Sequence, residues 1–133
     1  MAPKPDLHLL EDQYAICQLE ASSLIPAWAM GEGFLRISRS EEEVSVVCHQ
    51  NRVPPEIKAE RGWRCIRWVG RFDFGLPGIL ASVLNPLARA GVGIFAVSTY
   101  NTDYVLVKAH DLDRAMAALE RAGHVVSGVA LDP

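Results

Sequence analysis

Ile94-Phe95-Ala96-Val97-Ser98-Thr99-Tyr100-Asn101-Thr102-Asp103-Tyr104-Val105-Leu106-Val107-Lys108 is the stretch whose reading decides the fold. Residues 94–100 and 103–108 are rich in β-branched and aromatic side chains. Only Asn101-Thr102 stands between them, which predicts two antiparallel strands joined by a tight hairpin.

Upstream, Ile79, Leu80, Val83, Leu84 and Leu87 recur at helical spacing within 77–90, predicting an amphipathic helix with one core face. Pro77 is tolerated in a first turn and Gly91 supplies a left-handed stop, whereas Pro86 is expected to bend the helix or weaken it. Downstream, Leu112, Ala115, Met116 and Leu119 mark a second helix over 112–122, with Asp111 as its cap and Gly123 as its end. Strands at 64–69 and 124–129 flank the set. The order from Arg64 onward is therefore strand, helix, strand, strand, helix, strand. This is the α+β, ferredoxin-like (βαββαβ) arrangement, an antiparallel sheet with both helices on one face.

Sliding the sequence on itself by 60 positions lays Gly33–Ser38 over Gly93–Ser98 and Glu43–Val47 over Asp103–Val107 without a gap. With a strand at 14–19 and short helical pieces around 24–30 and 55–60, the first half reads as a copy with stunted helices. The expected organisation is a reduced unit over residues 1–61 and a full one over 62–133.

Half of the 133 residues are apolar, enough for a core without covalent staples. The formal charge is −3, from 13 basic and 16 acidic residues that form no long block of one sign, which argues against nucleic acid or anionic lipid as a partner. Gly75–Val97 carries one charge over the length of a membrane span, but Asn85, Pro86 and Gly91-Val92-Gly93 divide it into a helix and a strand. Met1–Leu10 has no apolar segment of signal-peptide length, so no export is expected. Cys17, Cys48 and Cys65 are odd in number and form no C-x-x-C pair, which reads as reduced thiols in a cytoplasmic protein.

His8, His49, His110 and His124 show no metal-ligand spacing, so no metal is expected. Gly70, Gly75 and Gly78 have the wrong spacing for a dinucleotide fingerprint, and neither a nucleophile elbow nor a phosphate loop is present, so no cofactor is expected either. Glu41-Glu42-Glu43 reads as a solvated turn.

The candidate binding site combines two segments. Asp73-Phe74-Gly75-Leu76-Pro77-Gly78-Ile79 leads from a strand into a helix, and its backbone amides at the positive helix end can receive a carboxylate. Ser98, Thr99, Asn101 and Thr102 supply hydroxyls and an amide across from it, and Asp103 can pair with an ammonium or guanidinium. The same residue types are those that turns prefer, so a purely structural reading stays open.

Gly62-Trp63-Arg64-Cys65, Gly78-Ile79-Leu80-Ala81-Ser82, Pro86-Leu87-Ala88, Ile94 to Tyr100 and Thr102 to Val107, together with Ile25-Pro26-Ala27-Trp28 and Phe34 to Cys48, resemble the small bacterial ACT-domain proteins related to the CASTOR arginine sensors. The resemblance implies two tandem ACT-like units, a homodimer joining sheets edge to edge, and a non-catalytic role binding an amino acid between units. It points to the 75–79 loop and to Ser98, Thr99 and Asp103. Two departures stand against a literal transfer: the animal sensors carry four such units in one chain, and the usual ACT aspartate lies closer to Pro-Gly than Asp73 does here. The rival expectations are a ligand-free interaction module and a small enzyme on the same scaffold.

Overall fold

The computed structural model describes residues 4–69 and 78–128. The chain divides into an inner unit, Asp12–Trp63, and an outer unit made of Met1–Glu11 with Arg64–Pro133. The division expected after residue 61 falls instead between Trp63 and Arg64, and the first eleven residues go with the later segment. The reason is a strand that sequence periodicity does not reveal. β1 (Leu7–Leu9) pairs antiparallel with residues 66–68 of β5 (Ala59–Trp68) and parallel with β8 (Val126–Gly128).

In the outer unit the order after β5 is α1 (Ile79–Arg89), β6 (Ile94–Ser98), β7 (Asp103–Lys108), α2 (Leu112–Arg121) and β8. Its strands lie side by side as β8-β1-β5-β7-β6. Without β1 this is the strand order of a ferredoxin-like βαββαβ unit. Ile79, Val83 and Leu87 of α1 and Leu112, Ala115 and Leu119 of α2 pack on Leu7, Leu9, Ile66, Trp68, Val105 and Val107 in one core. Leu7 is fully buried, which contributes about 1.5–3 kcal/mol by the usual area rule.

Both helices stop as their glycines demand. Gly91 (φ +75°) and Gly123 (φ +94°) take left-handed conformations. Beyond them Val92 N–H reaches Leu87 O, and His124 N–H reaches Leu119 O, each at 3.0 Å, which closes the last turns. Asp111 does not cap α2 as expected: it ends a 3-10 turn, Ala109–Asp111, in helical backbone geometry and makes no cap bond. Its carboxylate instead accepts from Arg114 Nη2 at 2.6 Å.

The inner unit contains β2 (Tyr14–Leu19), β3 (Arg36–Arg39), β4 (Val44–His49) and the first half of β5, in the order β3-β4-β2-β5. Where the outer unit has α-helices, this one has 3-10 turns at Ala27–Ala29 and Gln50–Arg52. The first lies inside the segment expected to be helical; the second lies before it, because 55–60 runs as a turn into β5. The core is formed by Ala15, Cys17, Val44, Val46, Cys48, Ala29 and Val53.

The hairpins of the two units correspond at an offset of 59, not 60. Arg39↔Val44 closes one and Ser98↔Asp103 the other. Core-facing Val46 and Cys48 thus answer to Val105 and Val107. A shift of one residue along a strand reverses which face every side chain occupies, so the gapless alignment at 60 matched composition but inverted the faces.

Candidate functional site

β5 ends at Trp68, and β7, its neighbour in the sheet, begins at Asp103. Thr102 Oγ1 donates to Trp68 O at 3.2 Å, fastening the β6–β7 turn to the end of β5. Strand β5 is also the one that leads toward α1.

The turn spans four residues, 99–102, rather than the two expected. Thr99 is the cause: its amide donates to Thr102 O at 2.8 Å, and its hydroxyl bridges the same residue, donating to Thr102 O at 3.1 Å and facing Thr102 N–H at 3.3 Å. Ser98 Oγ donates to Asp103 Oδ1. The hydroxyls of Ser98 and Thr99 are therefore engaged inside the hairpin and that of Thr102 by the Trp68 carbonyl, and these bonds use one of the two Asp103 carboxylate oxygens. Asn101 is exposed at the tip beside Tyr100, which is 80% exposed.

Gly78 occupies the N-cap position of α1 at φ 86°, ψ −6°, and, being glycine, has no side chain with which to cap the helix. The leading N–H groups of such a helix have no intrahelical acceptor. Ile79 opens the helix and is buried in the same core as Trp68. Ser98, Thr99, Thr102 and Asp103 are thus brought together with Trp68, and Gly78 and Ile79 start the helix that follows β5. Asp73, Gly75, Leu76 and Pro77 lie outside the described residues.

Sequence reasoning treated Trp68 only as a strand residue. Its ring is 1% exposed, and its indole Nε1 has no hydrogen-bond partner. A buried donor in that condition is uncommon in a folded protein. An aromatic residue with a polar tip near the end of the expected strand, just before a glycine-bearing stretch of sequence, was the available signal.

The histidines are structural or exposed. His124 is buried between the Ser82 and Pro5 carbonyls, and His49 Nδ1 stands 3.6 Å from Asp12 Oδ2. Among the described residues no group of three or more His, Cys, Asp or Glu is placed to hold a metal ion. No described helix is long and apolar enough to cross a membrane.

The outer unit's strand order and helix pairing define an ACT-fold protein, and residues 58–121 match the model of the ACT domain family. A second family model, written for an N-terminal domain, matches residues 12–56. The chain belongs to the same family as the protein Atu0741 of Agrobacterium tumefaciens, to which it is 40% identical over 99% of its own length and 98% of that chain, with a TM-score of 0.92. Two remoter likenesses concern the fold alone. VC0802 of Vibrio cholerae, described as a possible transport protein of unknown function, is 15% identical over 90% of each chain with a TM-score of 0.69. The ligand-free regulatory subunit of aspartate kinase from Thermus thermophilus is 12% identical over 93% of this chain and 100% of that one, with a TM-score of 0.63.

Proposed function

We propose that the chain is a non-catalytic regulatory module of two tandem ACT-like units that binds a small molecule, an amino acid, at the end of the outer unit where the 98–103 hairpin meets β5. The observation that carries this reading is the Thr102–Trp68 bond at 3.2 Å, which holds the hairpin against the strand that precedes a helix with glycine at its N-cap. In this reading Asp73, Gly75, Leu76, Gly78 and Ile79 receive a ligand carboxylate through backbone amides, and Pro77, which has no N–H to donate, fixes the backbone between them. Asp103 pairs with its ammonium, and Ser98, Thr99, Asn101 and Thr102 set the shape of the turn that presents it. Because the Ser98 and Thr99 hydroxyls are bonded within the hairpin and the Thr102 hydroxyl to Trp68 O, they position Asp103 more than they touch the ligand.

The shared strand order of the inner and outer units supports the tandem description. A CASTOR-type assembly follows from it, with a homodimer restoring four units. Strand β6 supports the dimer, since among the described residues it pairs only with β7 and it exposes Ile94, Ala96 and Ser98. The three cysteines, none of them in a disulfide, fit a reducing compartment such as the cytoplasm.

The test is a thermal-shift screen of the whole chain against the twenty amino acids. A ligand present at a hundredfold excess over its Kd adds about 2.7 kcal/mol to stability. A selective shift that Asp103→Ala abolishes supports the sensor. A flat screen with a stable complex recovered from cells favours the ligand-free interaction module, whose docking edge would be β6.

A further inference from the structure

Two of the three cysteines meet inside the inner unit. In the β2–β4 ladder Cys17 stands opposite Val46 and Ala15 opposite Cys48, so the cysteines are diagonal neighbours on one face. Both side chains enter the same apolar cluster, at 1% and 0% exposure. The neighbouring Cys17 thiol is the main reason Cys48 is held below the ordinary cysteine range; burial opposes it, and the Arg52 guanidinium assists. The neighbouring Cys48 and burial push Cys17 well up. One sulfur is thus disposed to ionise and attack while its neighbour keeps its proton until a reactive partner appears.

The cover over these sulfurs is thin. It consists of a 3-10 turn and connecting segments carrying Ile25, Trp28, Leu35, Val53 and Ile57, with no α-helix among the described residues of this unit. A cover without a helical hydrogen-bond ladder opens locally at less cost than a helix-backed core. Hydrogen peroxide, scarcely larger than water, needs only such an opening.

We propose that Cys17 and Cys48 form a reversible, peroxide-driven disulfide within the inner unit. The Cys48 thiolate attacks one peroxide oxygen and breaks the O–O bond, leaving Cys48 as a sulfenic acid and releasing hydroxide, which takes up a proton as water. Cys17 sulfur then attacks the Cys48 sulfur, the S–O bond breaks, and a second water leaves with the Cys17 proton. Overall, two thiols and one peroxide become one disulfide and two waters. Diagonal neighbours in a ladder lie about 7–8 Å apart, slightly beyond the roughly 4.4–6.8 Å between α-carbons of a relaxed bridge. Bridging therefore draws β2 and β4 together locally. The resulting strain makes the bridge easy to reduce, so it acts as a switch on this unit's packing rather than a permanent staple.

The full reduced chain is treated with equimolar hydrogen peroxide, unfolded in an alkylating agent, and its mass and peptides are read. The expected result is a chain about 2 Da lighter that resists alkylation at two positions, with a peptide pair linking Cys17 to Cys48, reversed by dithiothreitol and unchanged in Cys65→Ser. In Cys17→Ala, Cys48 should instead be trapped as a sulfenic acid by dimedone. The proposal is overturned if both thiols stay alkylatable while Cys65 oxidises, if only bridges between chains appear, or if Cys48 runs to the sulfinic acid in the wild type. Should a variant not fold, the wild-type mass and peptide map decide the matter alone.

Discussion

The imidazole of His124 donates through Nε2 to the backbone carbonyl of Ser82 at 2.8 Å. In an uninterrupted helix that carbonyl would accept from the amide four residues on, but the residue there is Pro86, which has none. His124 thus completes the hydrogen bonding that Pro86 leaves open, from the segment that enters β8. Its Nδ1 faces Pro5 O at 3.3 Å, so one ring ties α1, the N-terminal segment and β8 together.

His124→Ala should therefore cost about 1–3 kcal/mol, the penalty for leaving a buried carbonyl without a partner. Pro86→Ala restores an amide to Ser82 O. In that background the cost of His124→Ala should fall by about 1 kcal/mol, a coupling that a double-mutant cycle by urea unfolding would read. Additive costs would mean that the ring acts only by filling space.

Leu7→Ala should destabilise the outer unit by about 2–5 kcal/mol, as for other fully buried leucines. Unfolding followed through Trp68 reports on the unit that contains both residues. A loss under 1 kcal/mol would show that β1 is dispensable to the core it enters.

Two glycine substitutions separate strain from collision. At Gly91 a Cβ meets nothing within 4 Å, so Gly91→Ala carries only the cost of a left-handed backbone, about 1–3 kcal/mol. At Gly128 (φ +108°) a Cβ would stand 2.6 Å from Leu9 O, a backbone atom paired across β1 and β8. Gly128→Ala should lower the melting temperature more than Gly91→Ala, and the reverse order would argue against the β1–β8 register.

The cysteine pair has a pH signature. Cys17 keeps its proton in the folded state far above the ordinary value of 9.0. The unfolded chain therefore binds fewer protons than the native one above that value, and stability falls as pH rises beyond about 9. Chemical denaturation at pH 8 and pH 10 should show this fall in the wild type and a smaller one in Cys17→Ala. Equal slopes would mean that the thiols titrate independently.

Once a ligand is found, Asp103→Ala should weaken binding about tenfold to a hundredfold, the range for loss of a charge-assisted hydrogen bond. Ser98→Ala should weaken it less, because the Ser98 hydroxyl is bonded to Asp103 Oδ1. Titration calorimetry of both variants tests the ranking, and a larger effect at Ser98 would place its hydroxyl in direct contact with the ligand.

The sequence by itself determined the elements whose signal is local. Helical spacing of Ile79, Val83 and Leu87 located α1, left-handed glycines located both helix ends, a run of β-branched and aromatic residues located β7 to the residue, and the strand expected at 14–19 to complete the first copy matches β2. These features are legible because each position's preference depends on neighbours within one or two turns of chain. Strand β1 was not legible: Leu7-His8-Leu9 is too short for a periodic signal, and its partners lie at 66–68 and 126–128. Likewise only tertiary structure set the offset of 59 between the hairpins, made Cys17 and Cys48 diagonal neighbours, and brought His124 to Ser82. It also bonded the hydroxyls of Ser98 and Thr99 within the hairpin and that of Thr102 to Trp68 O, using one of the two oxygens of Asp103. Composition records which side chains can form hydrogen bonds, but which of them remain available is decided by strand register and long-range pairing, to which residues distant in the chain contribute equally.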